Sequence, residues 1–280
     1  TFKSDRLVSQ HVPKAEYQQL STDQTESQLS MLRKLELGFD EHCLLYKYCQ
    51  QKGIEFLSTA FDLESLEFLT SQFDLPYLKI PSGELTNPLL LLKVAQTGKP
   101  IILSTGMSCL QEIEMALGVL AFGYLNNNDN PSSESFRGAY CSSEGYVYLK
   151  NNIILLHCTT EYPTPFGEVN LLAMDTMESA FGLDIGLSDH TDGITIPIAA
   201  VAKGACLIEK HFTLSRTLPG PDHQASIEPQ ELDQMVQSIR QVEQALGNSR
   251  KIPVPSEIKN IPVARKSLVA GCPINKGEFF

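Results

Sequence analysis

The chain has 280 residues, of which 42% are hydrophobic and 20% charged, and this composition excludes a disordered, collagen-like or low-complexity protein. A net charge of −11 argues against nonspecific nucleic-acid binding, which requires a basic surface. No apolar run reaches the roughly 18 residues of a membrane span, so no membrane association is expected.

The seven cysteines are scattered and form no C-x-x-C pair. This pattern favours free thiols in a reducing compartment, so we expect a cytoplasmic protein. The sequence also contains no Walker A loop, no G-x-S-x-G elbow and no G-x-G-x-x-G fingerprint.

Short apolar runs alternate with helical patterns along the chain. The predicted strands are residues 55–59, 77–81, 101–104, 153–158, 184–188 and 205–211. The predicted helices are residues 63–72, 88–97, 110–122, 169–180, 194–203 and 229–246. The strands lack strict alternation, as expected where both faces of a sheet are covered.

Six βα units predict an α/β fold with a parallel sheet, either open or closed into a barrel. A (β/α)₈ TIM barrel needs about eight strands, so two would have to precede Thr1, with residues 1–37 forming a loop and helix of the last missing unit. The polar stretch 126–150 is predicted to be an insertion loop. After Gly247 the composition changes, which predicts a linker and then a strand and turn over residues 267–280.

Polar clusters follow almost every predicted strand, at its carboxyl end. In α/β sheets and barrels this edge carries the active site. A single cluster could equally be a helix N-cap, since Ser, Thr and Asp are common there. Six clusters in register favour a site. The clusters are Ser58-Thr59, Lys79 with Ser82-Gly83-Glu84, Ser104-Thr105-Gly106, His157 with residues 159–162, residues 188–191 and Glu209-Lys210-His211.

Two histidines end consecutive strands and could share a metal ion. His190 and His211 would lie at the same height on neighbouring strands. With no cysteine ligand nearby, an octahedral Mn²⁺- or Mg²⁺-like ion suits them better than structural zinc; the alternative is ordinary buried or capping histidines. Glu209 shares a strand face with His211, so it lies either beneath the site or beside a buried lysine.

A set of hydroxyl groups accompanies a lysine at the same edge and resembles a phosphate pocket. Its members are Thr59, Lys79, Ser82, Ser104 and Ser188. Beyond the last strand, the PGPD sequence at residues 219–222 predicts a rigid turn that presents Asp222, or simply a turn.

At these residues the sequence resembles the sialic acid synthase family, which includes N-acetylneuraminate, legionaminic acid and pseudaminic acid synthases. The matching motifs are KIPSGE at 79–84, ILSTGM at 102–107, LHCTTEYPTP at 156–165, GLSDHT at 186–191, IEKHFT at 208–213, PGPD at 219–222 and ARKS at 264–267. The resemblance covers essentially the whole chain.

The resemblance implies a (β/α)₈ TIM barrel that lacks its first two strands in this chain, followed by the start of a small antifreeze-like (SAF) domain. The corresponding boundaries are 1–247 for the barrel, 248–262 for a linker and 263–280 for the SAF segment. It also implies a domain-swapped homodimer and a metal-dependent transferase. That enzyme condenses phosphoenolpyruvate with an N-acylated mannosamine-type sugar and water, and releases a nine-carbon 2-keto acid and phosphate.

Carried over by motif, His190 and His211 are the metal ligands. The implied catalytic residues are Glu84, Lys79 and Asp222. The implied substrate-binding residues are Thr59, Lys79, Ser82, Ser104, Thr160, Tyr162, Ser188 and Asp222. Thr160 departs from some bacterial members, which have Asn there.

Three alternatives remain open at this stage. The sugar could be that of a legionaminic or pseudaminic acid synthase. The chain could be another phosphoenolpyruvate-using barrel, such as a ketodeoxyoctulosonate phosphate synthase, although that enzyme needs more basic residues for its phosphorylated sugar. It could also be a sugar- or metal-binding barrel without catalytic activity.

Overall fold

The computed structural model of the protein describes residues 2–9, 12–14, 18–19, 22, 26–125 and 130–279. The chain divides into two units, Thr1–Ala245 and Leu246–Phe280. None of the helices in these described segments is long and apolar enough to cross a membrane.

The first unit contains a five-stranded sheet in which every strand pairs in parallel with its sequence neighbour. The strands are β1 (Leu78–Ile80), β2 (Ile101–Ser104), β3 (Ile153–Cys158), β4 (Asp184–Asp189) and β5 (Ile208–Lys210). The predicted α/β fold with a parallel sheet is therefore confirmed, and so are five of the six predicted strands.

The prediction of a strand at residues 55–59, the first of the six in chain order, is wrong, because the segment forms no extended ladder. Only Thr59 pairs there, through one parallel bridge with Lys79. Leu57 is exposed and Phe56 is only partly buried against the core, so little burial holds this segment as a strand.

Helices cover the outer face of the sheet. In the first unit they are α1 (Ser4–Leu7), α2 (Gln28–Leu35), α3 (Phe39–Lys52), α4 (Leu63–Gln72), α5 (Pro88–Ala95), α6 (Leu110–Leu125), α7 (Ser133–Cys141), α8 (Ser143–Asn152), α9 (Leu172–Phe181), α10 (Thr195–Ala202) and α11 (Pro229–Leu246). The described residues also include three short 3₁₀ turns in loops, Ser82–Glu84, Phe166–Glu168 and His223–Ala225.

Local sequence explains where these helices begin and end. Asn87 caps α5 by accepting a hydrogen bond from the Leu90 amide at 3.2 Å, and Pro88 occupies the first turn. Gly182 ends α9 in the left-handed conformation that glycine adopts at low cost.

The predicted insertion loop at 126–150 is wrong for its described part, because residues 133–152 form α7 and α8. Residues 126–129 lie outside the described residues. Ser132 caps α7 through a reciprocal hydrogen bond with Ser135, and Ser142 caps α8. Ala139 and Leu149 are buried in the core, and the Phe136 ring lies 5.2 Å from that of Phe122 on α6. A few apolar contacts thus stabilise two helices whose composition is mostly polar.

The core lies between the sheet and the helices. The fully buried side chains include Ile101, Leu103, Ile153 and Leu155 of the strands, with Leu117 and Leu120 of α6. Because this layer fills the outer face of the sheet, the polar side chains gather at its concave face and carboxyl edge.

The second unit contains two short helices, α12 (Pro255–Ile258) and α13 (Ile261–Ala264). The strand predicted from Ser267 is absent from the described residues up to Phe279. Leu268 and Val269 are fully or almost fully exposed, so no apolar contact holds this segment as a strand. The linker and SAF boundaries stay predictions.

Candidate active site

The carboxyl ends of β3, β4 and β5 place three polar side chains in one row. Cys158 is in register with Ser188, and Ser188 with Glu209. Paired residues of parallel strands face the same side of a sheet. The Ser188 hydroxyl donates a hydrogen bond to Oε1 of Glu209 at 2.6 Å.

Lys79 brings a buried positive charge to this row, with only 9% of its side chain exposed. Its ammonium donates to Oγ of Ser104 at 2.8 Å and to the carbonyl of Ile80 at 3.2 Å. It also lies 3.4 Å from Oε2 of Glu209. Burial lowers the pKa of Lys79, and the neighbouring Glu209 carboxylate partly opposes this shift.

The Lys79–Glu209 ion pair joins the two edges of the sheet. Lys79 lies on β1 and Glu209 on β5, which are the first and last strands in sheet order. Their side chains can meet only if the sheet curls so that its edges approach across the concave face. The predicted site residues Lys79, Ser104 and Ser188 are therefore brought together inside a half-barrel.

A second group forms around Gly106. Its amide donates to Oγ of Ser82 at 2.9 Å, and the Ser82 hydroxyl contacts Sγ of Cys158 at 3.6 Å. A Cβ atom on Gly106 would collide with the hydroxyl groups of Thr160 and Ser82 and crowd the Cys158 sulfur. Ser82 and Thr160 thus lie close to Cys158 around Gly106, and Cys158 was not among the predicted site residues.

The two histidines lie together, as the strand register predicts. The ring centroids of His190 and His211 are 5.3 Å apart, and the Tyr162 ring lies 4.2 Å from His190 and 5.4 Å from His211. Asp222 approaches from the loop beyond β5, with Oδ2 3.9 Å from Nδ1 of His211. Four predicted site residues therefore form one cluster.

Hydrogen bonding fixes the donor atom that His190 offers. Its Nδ1 lies 2.7 Å from the carbonyl oxygen of Thr159, so Nδ1 carries a hydrogen, and in the neutral ring Nε2 is the nitrogen that has the lone pair. Burial works to lower the pKa of His190, but hydrogen bonds with Cys158 and the Thr159 carbonyl outweigh it, and the net shift is upward. Burial lowers the pKa of His211, although Asp222 opposes the shift.

The donor set around the histidines fits part of a metal shell. In the described part of the chain, no group of three or more His, Cys, Asp and Glu side chains converges as a metal site. Two imidazoles side by side, with one Nε2 lone pair available, fit an ion whose other ligands are oxygens from substrate and water.

Backbone hydrogen bonds and an ion pair hold the loop that carries Asp222. Ile227 pairs with His211 and Thr213 through backbone hydrogen bonds of 3.0 and 2.9 Å. Arg216 donates two hydrogen bonds to the Glu231 carboxylate on α11, at 2.9 and 2.7 Å. These contacts hold the PGPD turn beside His211. Arg216 was not predictable from the sequence, because a surface ion pair has no local motif.

Two predicted residues are placed less centrally. The Glu84 carboxylate accepts a hydrogen bond from Asn87 at 2.7 Å, at the start of α5, and does not contact Lys79 or the histidines. Thr59 lies beside Lys79 through its backbone bridge. Both are at the carboxyl edge of the sheet, and their roles stay predictions.

Comparison with known proteins identifies the family. The sequence signature of the NeuB family matches residues 1–251. The chain belongs to the NeuB family. It is 49% identical over 280 residues to the N,N'-diacetyllegionaminic acid synthase of Campylobacter jejuni, which covers 100% of this chain and 77% of that protein. It is 42% identical over 284 residues to the synthase of the same name from Legionella pneumophila, covering 99% of this chain and 74% of that protein.

A solved member of this kind shares the fold. The N-acetylneuraminic acid (sialic acid) synthetase of Leptospira borgpetersenii, in complex with citrate, superposes with a TM-score of 0.70 at 33% identity. The match covers 88% of this chain and 77% of that one. The resemblance to the sialic acid synthase family is thus confirmed, and the half-barrel belongs to a TIM-barrel-like fold. The full strand count and the SAF domain remain predictions.

Proposed function

We propose that this protein condenses phosphoenolpyruvate with an N-acylated mannosamine-type sugar and water, giving a nine-carbon 2-keto acid and inorganic phosphate. Membership of the NeuB family supports this proposal, as do two relatives that are named as synthases of an acidic sugar and align with almost the whole chain.

The observation that carries the proposal is a buried cation surrounded by hydroxyl groups. Lys79 is almost fully enclosed, so its positive charge acts on the groups directly around it, although the net charge of the protein is −11. An ammonium and several hydroxyls in a sheltered pocket bind a phosphoryl or carboxylate group strongly. Ser104 accepts from Lys79 and keeps its own hydrogen to donate to such an anion.

The reaction needs a carbon nucleophile and a carbon electrophile held face to face. C3 of phosphoenolpyruvate forms a bond with the aldehyde carbon of the sugar, and water adds at C2. The C–O bond to phosphate then breaks, and the phosphate takes the bonding electrons. Lys79, Ser82, Ser104, Ser188 and Thr160 would hold the phosphate and carboxylate of this substrate.

The histidine cluster lies on the sugar side of this pocket in our proposal. His190 and His211 would hold a divalent ion, Mn²⁺ or Mg²⁺, which as a Lewis acid polarises the sugar aldehyde. Tyr162 packs against both rings, and Asp222 would accept hydrogen bonds from sugar hydroxyls. Glu84 at the same edge would move a proton at the reacting centre.

For the sugar, we propose a 2,4-diacetamido-trideoxy mannose-type substrate ahead of N-acetylmannosamine, because both whole-chain relatives are named for N,N'-diacetyllegionaminic acid. The test is a substrate panel with phosphoenolpyruvate and Mn²⁺ or Mg²⁺, in which phosphate release is measured with each sugar. We expect the highest kcat/KM with the diacetamido sugar. Release only with N-acetylmannosamine would reassign the sugar, and release with none would favour a binding protein without catalytic activity.

Location and assembly are further proposals. All seven cysteines are free thiols, which supports a reducing cytoplasm. A domain-swapped homodimer rests on the family resemblance alone and is testable by light scattering.

A further inference from the structure

The Glu209 carboxylate contacts Lys79 and Ser188, the two groups that would donate hydrogen bonds to the proposed substrate. Its Oε1 accepts a hydrogen bond from the Ser188 hydroxyl at 2.6 Å, and its Oε2 lies 3.4 Å from the ammonium of Lys79. The carboxylate therefore joins two groups that come from different strands and face the same point in the concave side of the sheet.

The contacts of both groups leave little free donor capacity in this arrangement. A lysine ammonium has three hydrogens; Lys79 uses two in hydrogen bonds to Ser104 and the Ile80 carbonyl, and its ion pair with Glu209 at 3.4 Å lies on the remaining side. A serine hydroxyl has one hydrogen, and that of Ser188 goes to Glu209. Neither group can bind an incoming anion through a hydrogen unless an existing partner is released.

Glu209 is the partner best suited to be released. Ser104 and the Ile80 carbonyl lie on β2 and β1, where the sheet holds them in place. The Glu209 side chain is 40% exposed, so its carboxylate can turn toward water at small cost, whereas Lys79 is enclosed and cannot follow it. An anion that replaces the carboxylate would supply a new acceptor for Ser188 and a new countercharge for Lys79.

We propose that Glu209 is an internal counter-ion, which holds Lys79 and Ser188 in place before substrate binds and is exchanged for the anionic group of phosphoenolpyruvate. This inference rests on the proposed function for the identity of the substrate. The inference goes beyond the proposed function because it assigns two roles to Glu209. The carboxylate positions Lys79 and Ser188, and it competes with the substrate anion for them. The same exchange predicts that inorganic phosphate, which carries the same chemistry, binds there.

The experiment compares wild type with Glu209→Gln by calorimetric titration with inorganic phosphate and with phosphoenolpyruvate. Glutamine keeps the shape of the side chain and removes the competing charge, so we expect both dissociation constants to fall at least about threefold. Glu178→Gln is the matched control, because it removes one charge from an exposed position on α9; both constants should stay within about twofold of wild type. The gain should disappear when Glu209→Gln is compared in a Lys79→Met background.

Equal or weaker anion binding by Glu209→Gln would overturn the proposal, because it would make the carboxylate a support for the pocket and not a competitor. If this variant does not fold, a crystal structure of wild type with phosphoenolpyruvate decides. The Ser188–Glu209 hydrogen bond should be broken there, and its persistence beside an anion bound to Lys79 would refute the exchange.

The outcomes separate this inference from the proposed function. Tighter phosphate binding by Glu209→Gln, without product from any sugar, would support the counter-ion and contradict the condensation reaction. Product formation by wild type, with no gain in anion affinity for the variant, would contradict the counter-ion alone.

Discussion

Asp189 and Lys210 form a buried ion pair across β4 and β5, with only 1% and 3% of their side chains exposed. The two residues are directly paired in the strand register, and each immediately precedes a histidine of the candidate metal site. The pair also bonds to Thr191, whose amide and hydroxyl donate to Asp189 at 3.1 Å and whose carbonyl accepts from Lys210 at 2.7 Å. It therefore locks the register that brings His190 beside His211.

Lys210→Met should lower the free energy of unfolding by about 3–5 kcal/mol, because it leaves the Asp189 carboxylate buried without a countercharge. Asp189→Asn combined with Lys210→Met should recover much of this loss, since asparagine keeps an acceptor for Thr191 and carries no charge. Urea denaturation of both variants measures the difference.

The matched control for this pair is Lys203→Met, which breaks the more exposed ion pair between Lys203 and Asp175 on the helices. We expect a loss of about 1 kcal/mol or less there. A double variant no more stable than Lys210→Met alone would show that the pair is not the origin of the effect.

The position of the site was predictable because parallel strands share one carboxyl edge. That rule placed Lys79, Ser104, Ser188 and the two histidines at the same edge of the sheet. The structure brings Lys79, Ser104 and Ser188 into one group and the two histidines into another. A buried lysine was one of the two surroundings expected for Glu209, but its identity as Lys79 was not predictable. Period-two alternation says only that Glu209 and His211 share a face, whereas contact with Lys79 depends on how far the sheet curls between β1 and β5.

The errors in secondary structure have a common physical cause. The residues of α7 and α8 look like a loop because they are polar, and only serine caps and a few buried contacts such as Ala139 make them helical. Conversely, the apolar pattern at 55–59 predicts a strand, but the segment is joined to the sheet by an isolated bridge at Thr59 and not by an extended ladder. Tertiary contacts determine the secondary structure of both segments, and a local sequence pattern carries no information about those contacts.

Gly106→Ala should weaken anion binding and lower the unfolding free energy by about 1–3 kcal/mol, the usual cost of overpacking. The added Cβ would collide with the Thr160 hydroxyl and lie 2.8 Å from Oγ of Ser82 and 3.2 Å from Sγ of Cys158, so the Thr160 and Ser82 hydroxyls must shift. Titration with phosphoenolpyruvate and urea denaturation measure the two effects.

Gly83→Ala is the control for Gly106→Ala, since it adds the same methyl group next to Ser82 in open space. It should leave anion affinity within about twofold of wild type, because no atom has to move. Equal behaviour of the two alanine variants would mean that close packing at Gly106 does not shape the pocket.

His211→Ala should reduce Mn²⁺ affinity by about tenfold or more, because it removes one of the two nitrogen donors proposed for the ion. Calorimetry with Mn²⁺ alone measures this loss without any need for catalysis. His157→Gln is the control: His157 contacts the Val169 carbonyl at 2.7 Å and not the other two histidines, so Mn²⁺ affinity should not change. Unaltered Mn²⁺ binding by His211→Ala would remove this histidine from the metal site.

Glu231→Gln should destabilise the protein at neutral pH and lose this effect in acid. Burial works to raise the pKa of Glu231, but hydrogen bonds from the Glu228 amide and Arg216 outweigh it, and the net shift is below the ordinary value of 4.5. A depressed carboxylate pKa stabilises the folded state above the unfolded-state pKa, and this stabilisation is lost as the pH falls through the folded-state value. Since the pair is partly exposed, we expect about 1 kcal/mol or less at pH near 7. The deficit relative to wild type should shrink steadily below about pH 4.5 in urea denaturation.

Glu243→Gln, which breaks the more exposed pair with Arg240 on the same helix, serves as the control and should cost less at neutral pH. A Glu231→Gln deficit that persists unchanged at about pH 3 would show that the side chain acts through packing and not through its charge.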